Sequence, residues 1–176
     1  MIHPWLFALG ALLLAACEGG PFGRACTEIG CVDGVDLTLL APGNTWPPGR
    51  YHFQIGFAGT RHDCLATLPE DLPQSPNELK ALRCEPVLEG SFRAKVTCRE
   101  QRTADAVSES CTPVAGQWLL HVSAQGIPES LQLRIERDDR VLLERTQKLD
   151  YEQSRPNGPG CEPLCRQSDV VVTLPP

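Results

Sequence analysis

The sequence is short of long apolar runs and of basic charge, and it lacks the common catalytic signatures. Its longest apolar stretch, Trp5 to Ala16, has 12 residues, fewer than the roughly 20 that span a bilayer core as a helix, so a polytopic membrane protein is excluded. With 16 Lys and Arg against 22 Asp and Glu, the net charge is −6. No basic stripe occurs, which makes nucleic acid and anionic lipid poor partners. The acidic surplus lies before Gly90, where 5 basic residues face 10 acidic ones, and reads as a solvated surface. No internal repeat or low-complexity tract is present, against a long coiled coil or a disordered tail. There is no G-x-S-x-G, no H-E-x-x-H, no P-loop and no G-x-G-x-x-G after a strand. The absence of C-x-x-C argues against redox catalysis of the thioredoxin kind.

What the chain does have is cysteine, nine in 176 residues. Cys17 directly follows the apolar run, and cleavage before it leaves 160 residues with eight further cysteines. That length suits one domain. An even number at this density points to an oxidising compartment. Eight cysteines allow about a hundred connectivities, but their placement groups them. Cys26 and Cys31 precede the first expected strand, Cys161 and Cys165 precede the last, and Cys64, Cys84, Cys98 and Cys111 occupy the middle. The expectation is that the terminal four crosslink one another and the middle four pair among themselves. The same terminal four offer C-x4-C and C-x3-C spacings to zinc, yet exported thiols oxidise and these are not the tight pairs of zinc ribbons. No metal or other cofactor is expected.

Short runs alternate apolar with polar residues, the signature of half-buried strands. Val35, Leu37 and Leu39 form one, and Tyr51, Phe53, Ile55 and Phe57 form the clearest, introduced by Pro47-Pro48-Gly49. Cys64 to Leu68 follows a turn at Ala58-Gly59-Thr60. Phe92, Ala94, Val96 and Cys98 predict a buried face opposite a basic one made by Arg93, Lys95, Thr97 and Arg99. Trp118, Leu120 and Val122 repeat the alternation around His121. Leu131, Leu133 and Ile135 lead through Asp138-Asp139 to an apolar stretch at Val141, which predicts a hairpin. Val170 to Leu174 is continuously apolar except Thr173 and reads as a strand that is buried on both faces or central. Ser75-Pro76-Asn77-Glu78 resembles a capping box and predicts one helix of about two turns, with Leu79 and Leu82 inward. Glu100 to Ser110 reads as a loop, with a frayed helix as the alternative. The expected fold is an all-β, antiparallel β-sandwich, immunoglobulin-like, with one short helix and several disulfides; a transthyretin-like topology stays open.

Candidate chemistry is sparse. His52 and His121 fall on polar faces of expected strands, and Arg61-His62-Asp63 is a turn that names no nucleophile. The carboxylate pairs Glu70-Asp71 and Asp138-Asp139 sit in turns, where solvation explains them without glycoside hydrolysis. Asp33-Gly34 and Asn157-Gly158 read as turns and not as calcium ligands. Arg93, Lys95 and Arg99 are the best surface for an acidic partner.

The run Leu14-Ala15-Ala16-Cys17 at the end of an apolar segment resembles the lipobox of bacterial lipoproteins. That resemblance implies a signal peptide over residues 1–16, a diacylglyceryl thioether on Cys17 and an acylated amino terminus, an effectively permanent membrane anchor. Glu18 stands where an Asp is the usual inner-membrane retention signal, which favours the outer membrane. Residues 17–25 then form a lipidated cysteine and a flexible, glycine-containing tether, and residues 26–176 form the disulfide-bonded domain. The blocks Cys26-Thr27-Glu28-Ile29-Gly30-Cys31-Val32-Asp33-Gly34, Pro48-Gly49-Arg50-Tyr51 and Arg155 to Gln167 resemble cysteine-rich lipoproteins of myxobacteria and related deltaproteobacteria. This second resemblance implies an envelope lipoprotein and supplies no activity. The function expected is a noncatalytic envelope domain, structural or binding a protein or glycan. A surface carbohydrate-binding adhesin, with Trp46, Tyr51 or Trp118 exposed on a flat face, and an envelope hydrolase are the alternatives.

Overall fold

Where apolar and polar residues alternate, the backbone is extended and every second side chain is removed from water. A computed structural model describes residue 26 and residues 28–102 and 107–176; the expected signal peptide 1–16, the expected lipidation site Cys17 and the expected tether to residue 25 lie outside them. The described residues form eleven strands: β1 (Gly34–Leu40), β2 (Gly49–Phe57), β3 (Thr60–Leu68), β4 (Lys80–Ala81), β5 (Arg83–Glu85), β6 (Glu89–Arg102), β7 (Val107–Gln125), β8 (Ser130–Arg137), β9 (Arg140–Lys148), β10 (Glu152–Ser154) and β11 (Cys165–Thr173). Val35, Leu37 and Leu39 of β1 and Tyr51, Phe53, Ile55 and Phe57 of β2 are all buried, with their neighbours on the opposite face. Two hairpins turn through two residues each. Ala58-Gly59 joins β2 to β3 with φ of 49° and 81°, and Asp138-Asp139 joins β8 to β9 with φ of 49° and 63°. Paired positive φ values match the right-handed twist of the flanking strands. Asp138 offsets its unfavourable conformation by accepting a hydrogen bond from the Arg50 N–H at 2.9 Å.

Two sheets face each other across one core. The first has the order β10-β11-β1-β7-β6-β4 and the second β5-β3-β2-β8-β9. β1 pairs in parallel with β11 while the other ladders are antiparallel, so the first sheet is mixed, a correction to the purely antiparallel expectation. Parallel pairing is possible here because nearly the whole chain separates the two strands. Val35, Leu37, Leu39, Leu120, Val122, Val170 and Val172 meet Phe53, Ile55, Leu131, Leu133 and Ile135 from the second sheet. Trp46 packs edge-on against Tyr51, Phe53 and Phe92 at ring-centroid separations of 5.5, 6.1 and 5.5 Å. Such edge-to-face contacts suit the ring quadrupoles and add to burial.

Four disulfides close the structure: Cys26–Cys161, Cys31–Cys165, Cys64–Cys84 and Cys98–Cys111. The terminal four cysteines join the two ends of the domain, and the middle four each pair across adjacent strands. Asn157 adds to the terminal seam by exchanging two hydrogen bonds with the Ile29 backbone, at 2.9 and 3.1 Å.

Three local expectations are overturned. The helix from Ser75 is one turn closed by Glu78 N–H to Ser75 O at 3.1 Å, and among the described residues the only helical element is the 3-10 turn Pro42–Asn44. The capping carboxylate is in use, since Glu78 accepts the Gln74 N–H at 2.7 Å. The next residues are captured instead by β6: Lys80 and Ala81 pair with Phe92 and Ser91, and Leu82 N–H donates to Gly90 O. A helix of two turns is too short to resist such pairing, so Leu82 enters the core and Leu79 is exposed. Second, residues 100–102 and 107–110 are not a loop but the outer part of the β6–β7 hairpin. Third, the last strand is not buried on both faces, for Val171 is 64% exposed between buried Val170 and Val172; the other reading, a central place, is the one that holds, with β11 between β10 and β1.

The long edge strand β9 is guarded. A bulge interrupts its pairing beside Ile135, and Arg145, opposite inward-facing Leu133, brings a charge to the core side of the edge. Both devices oppose pairing with another chain.

Candidate functional site

Strand β6 carries the basic residues Arg93, Lys95 and Arg99. Glu89 to Ala94 pair with Ser123 to Trp118 in regular register, and the next pair is Val96 with Pro113. Four residues of β7, 114–117, therefore oppose Lys95 alone, with Gly116 at φ 68° inside the bulge. A side chain at Gly116 would be strained in that conformation. Beyond Ala94, neither strand buries a residue until Leu120. The outer hairpin, Val96 to Arg102 against Val107 to Pro113, thus projects as an arm. The expected buried face stops at Phe92 and Ala94; Val96 is 49% exposed and Cys98 is exposed because no second sheet lies beneath them.

Arg93 lies on the sandwich, Lys95 in the bulge and Arg99 on the arm, so the structure spreads the three cations along the hairpin. Arg93 and Arg99 are exposed and Lys95 is half-buried. None of the three has an ion-pair partner among the described residues, whereas Arg102 is held by Glu100 at 2.7 Å. Free cations in a chain of net charge −6 can attract an anionic group without first breaking an internal pair.

His121, Asp36 and Ser123 come together on the outer face of the first sheet. Ser123 Oγ donates to Asp36 Oδ1 at 2.8 Å, and His121 Nε2 lies 3.2 Å from the same oxygen. Burial, followed by the nearby Arg93 cation, lowers the pKa of His121. Hydrolytic catalysis needs the imidazole between serine and carboxylate. Here the carboxylate stands between serine and imidazole, so His121 has no route to the serine proton. The cluster ties β1 to β7.

His52 occupies the other outer face. Its Nε2 meets Asp63 at 2.9 Å and its Nδ1 lies 3.8 Å from Glu136. Arg61 joins Asp63 at 3.0 Å, while Arg134 joins Glu136 and Glu144, both at 2.6 Å. Alternating charges thus cross β3, β2, β8 and β9. The Arg61 hydrogen bond, assisted by His52, holds the Asp63 carboxyl below its usual range. His62 donates through Nδ1 to the Pro86 carbonyl at 2.9 Å. Among the described residues, no serine or free thiol completes either cluster.

The other sequence candidates serve the backbone. Asp71 accepts the Thr67 N–H at 2.6 Å, and Asp33 accepts the Arg166 N–H at 2.7 Å. Cys26, Cys31, Cys161 and Cys165 are bound as disulfides, so their sulfurs are not thiolate ligands for zinc. The one cluster of metal-ligating types among the described residues, Cys98, Glu109 and Cys111, likewise contains a disulfide.

No described aromatic residue is exposed. Trp46 donates its Nε1 hydrogen to Trp118 O at 3.0 Å, and Tyr51 donates its hydroxyl hydrogen to Pro47 O at 2.9 Å. Trp118 is half-buried against the core. A crevice of about 900 Å³ opens beside β5 between Leu65, Leu82, Val87 and Glu85. A second, of about 670 Å³, lies at the sandwich end near Asp36, Phe57 and His62. Neither is lined by a tryptophan or tyrosine.

Sequence reasoning missed the arm. Its one signal was the position of Cys98 and Cys111 on either side of a polar run, which places them opposite each other once the chain folds back. Comparison of the chain with protein-family models, with curated proteins and with solved structures finds no match.

Proposed function

We propose that this chain is a noncatalytic, lipid-anchored domain of a bacterial cell envelope that presents the β6–β7 hairpin to an acidic protein or glycan. The anchor is Cys17 and the address is the outer membrane. The observation that carries the reading is the disulfide seam at the amino-terminal end. Cys26 is tied to Cys161 and Cys31 to Cys165. A lipid on Cys17 stands nine positions before Cys26 and would hold the sandwich within about 30 Å of the bilayer. Structural disulfides belong to an oxidising compartment, in keeping with export. The immunoglobulin-like reading of the sandwich belongs to the same proposal; two facing sheets around a buried tryptophan support it.

Arg93, Lys95 and Arg99, without an ion-pair partner among the described residues, support an acidic partner. Burial of Trp46 and Tyr51 argues against a flat aromatic platform for sugars. Radiolabelled palmitate fed to cells expressing the chain is expected to label it, and Cys17→Ala to abolish the label; persistence in the variant refutes the anchor. Crosslinking in intact cells tests the docking face. A discrete crosslinked species weakened by Arg93→Glu with Arg99→Glu is expected, and a species indifferent to that charge reversal overturns the basic face as its contact.

A further inference from the structure

We infer that the Cys98–Cys111 disulfide is a thiol-exchange site, reduced by an external dithiol ahead of the other three, and that its reduction releases the arm while the sandwich stays folded. Exchange needs a thiolate to reach one sulfur and the other sulfur to leave as a stable thiolate. Cys98 and Cys111 are both exposed. Each other bridge has a buried member: Cys161 is 4% exposed, Cys165 1% and Cys64 0%. Attack on their more accessible partners would expel a thiolate out of reach of water, which burial disfavours, and in the case of Cys64 into the hydrophobic core itself.

The reaction balances with a dithiol as reductant. One of its thiolates attacks Cys98 Sγ, and the bond to Cys111 Sγ breaks with its electron pair leaving on Cys111, which takes up a proton. The second thiol of the reductant, once deprotonated, attacks the mixed disulfide and expels the Cys98 thiolate, which is protonated in turn. Two electrons pass to the cysteine pair, and the dithiol becomes a disulfide.

The crosslink holds the arm because little else does. No side chain from Val96 to Arg102 or from Val107 to Pro113 is buried. Glu100 stands directly opposite Glu109, a like-charge pair that opposes strand pairing. A two-stranded ribbon without a core is marginal in water. Glu109 also places a carboxylate oxygen within 4.8 Å of both sulfurs, where it repels an incoming thiolate. The inference does not depend on the arm docking a partner.

The full chain in detergent micelles is titrated with dithiothreitol, freed thiols are alkylated, and the modified cysteines are located by mass spectrometry. Cys98 and Cys111 are expected to be alkylated at roughly tenfold lower reductant than any other pair. At that point amide protection is lost at residues 99–101 and 108–110, while near-ultraviolet circular dichroism from the Trp46 cluster is unchanged. Earlier or simultaneous reduction of another pair overturns the site, and loss of the aromatic signal with the first pair overturns the independence of the arm. Glu109→Gln is expected to speed exchange about fourfold at low salt, less at high salt; an unchanged rate removes Glu109 from the mechanism.

Discussion

His121 shows how a single side chain is placed by three strands. It lies on β7 between Asp36 of β1 and Arg93 of β6, with Asp169 of β11 one strand further on. Burial and Arg93 together outweigh the two carboxylates, so the folded pKa is below the ordinary 6.5. The unfolded chain then binds the proton more readily than the folded one. Stability is unaffected well above 6.5 and declines as pH falls from there toward the folded pKa. Thermal melts at about pH 5 and pH 7.5 are expected to show a smaller difference for His121→Asn than for the unaltered chain. An equal difference would mean that other groups carry the dependence. Asp63 has the opposite sign. Its lowered carboxyl pKa adds stability that is present above 3.8 and lost as pH falls through the folded value. The chemistry of these residues was legible and their company was not: Asp36 and His121 are 85 positions apart, and only the β1–β7 ladder makes them neighbours.

At the scale of the element, alternation decides most strands, and turns decide how they join. Asp138 and Asp139 share positive φ but differ in what they bond. Asp138 accepts the Arg50 N–H at 2.9 Å, while Asp139 makes only an exposed contact with the Arg50 side chain at 3.5 Å. Asp138→Ala is expected to cost about 1–2 kcal/mol in urea denaturation, through the lost hydrogen bond and the strained turn. Asp139→Gly is expected to raise the unfolding free energy by about 0.5 kcal/mol, read as a higher urea midpoint, because glycine relieves positive φ and an exposed ion pair contributes little. The reverse order would show that the turn is not held by the Asp138 acceptor. Two elements were misread for related reasons. The segment from Ser75 has a good helix start, but β6 offers Lys80 to Leu82 backbone partners from the neighbouring strand. Glu100 to Ser110 lacks apolar alternation because the arm has no core to face; its strands are registered by their partner and by Cys98–Cys111.

For the molecule as a whole, the seam between the chain ends is the main long-range constraint beyond the sheets. Cys26–Cys161 ties the chain ends across 135 positions, and Cys31–Cys165 then closes the short ring formed by residues 26–31 and 161–165, which restricts the unfolded ends further. Cys31→Ser with Cys165→Ser is expected to lower unfolding free energy by about 2–5 kcal/mol. A loss below about 1 kcal/mol would show that Cys26–Cys161, the parallel β1–β11 ladder and the Asn157 hydrogen bonds hold the seam without the second bridge. The amino-acid sequence by itself determined the β class, the inward residues of β1, β2 and β8, the places of the two hairpin turns and the grouping of cysteines into terminal and middle sets. Each of these is written in local spacing, because alternation, turn chemistry and cysteine position act over a few residues. Tertiary structure alone decided the parallel pairing of β1 with β11, the loss of the expected helix, the meeting of His121 with Asp36 and Ser123, and the projection of the arm. These depend on which distant backbone groups and side chains arrive together, and on whether a second sheet lies beneath a strand to bury its apolar face.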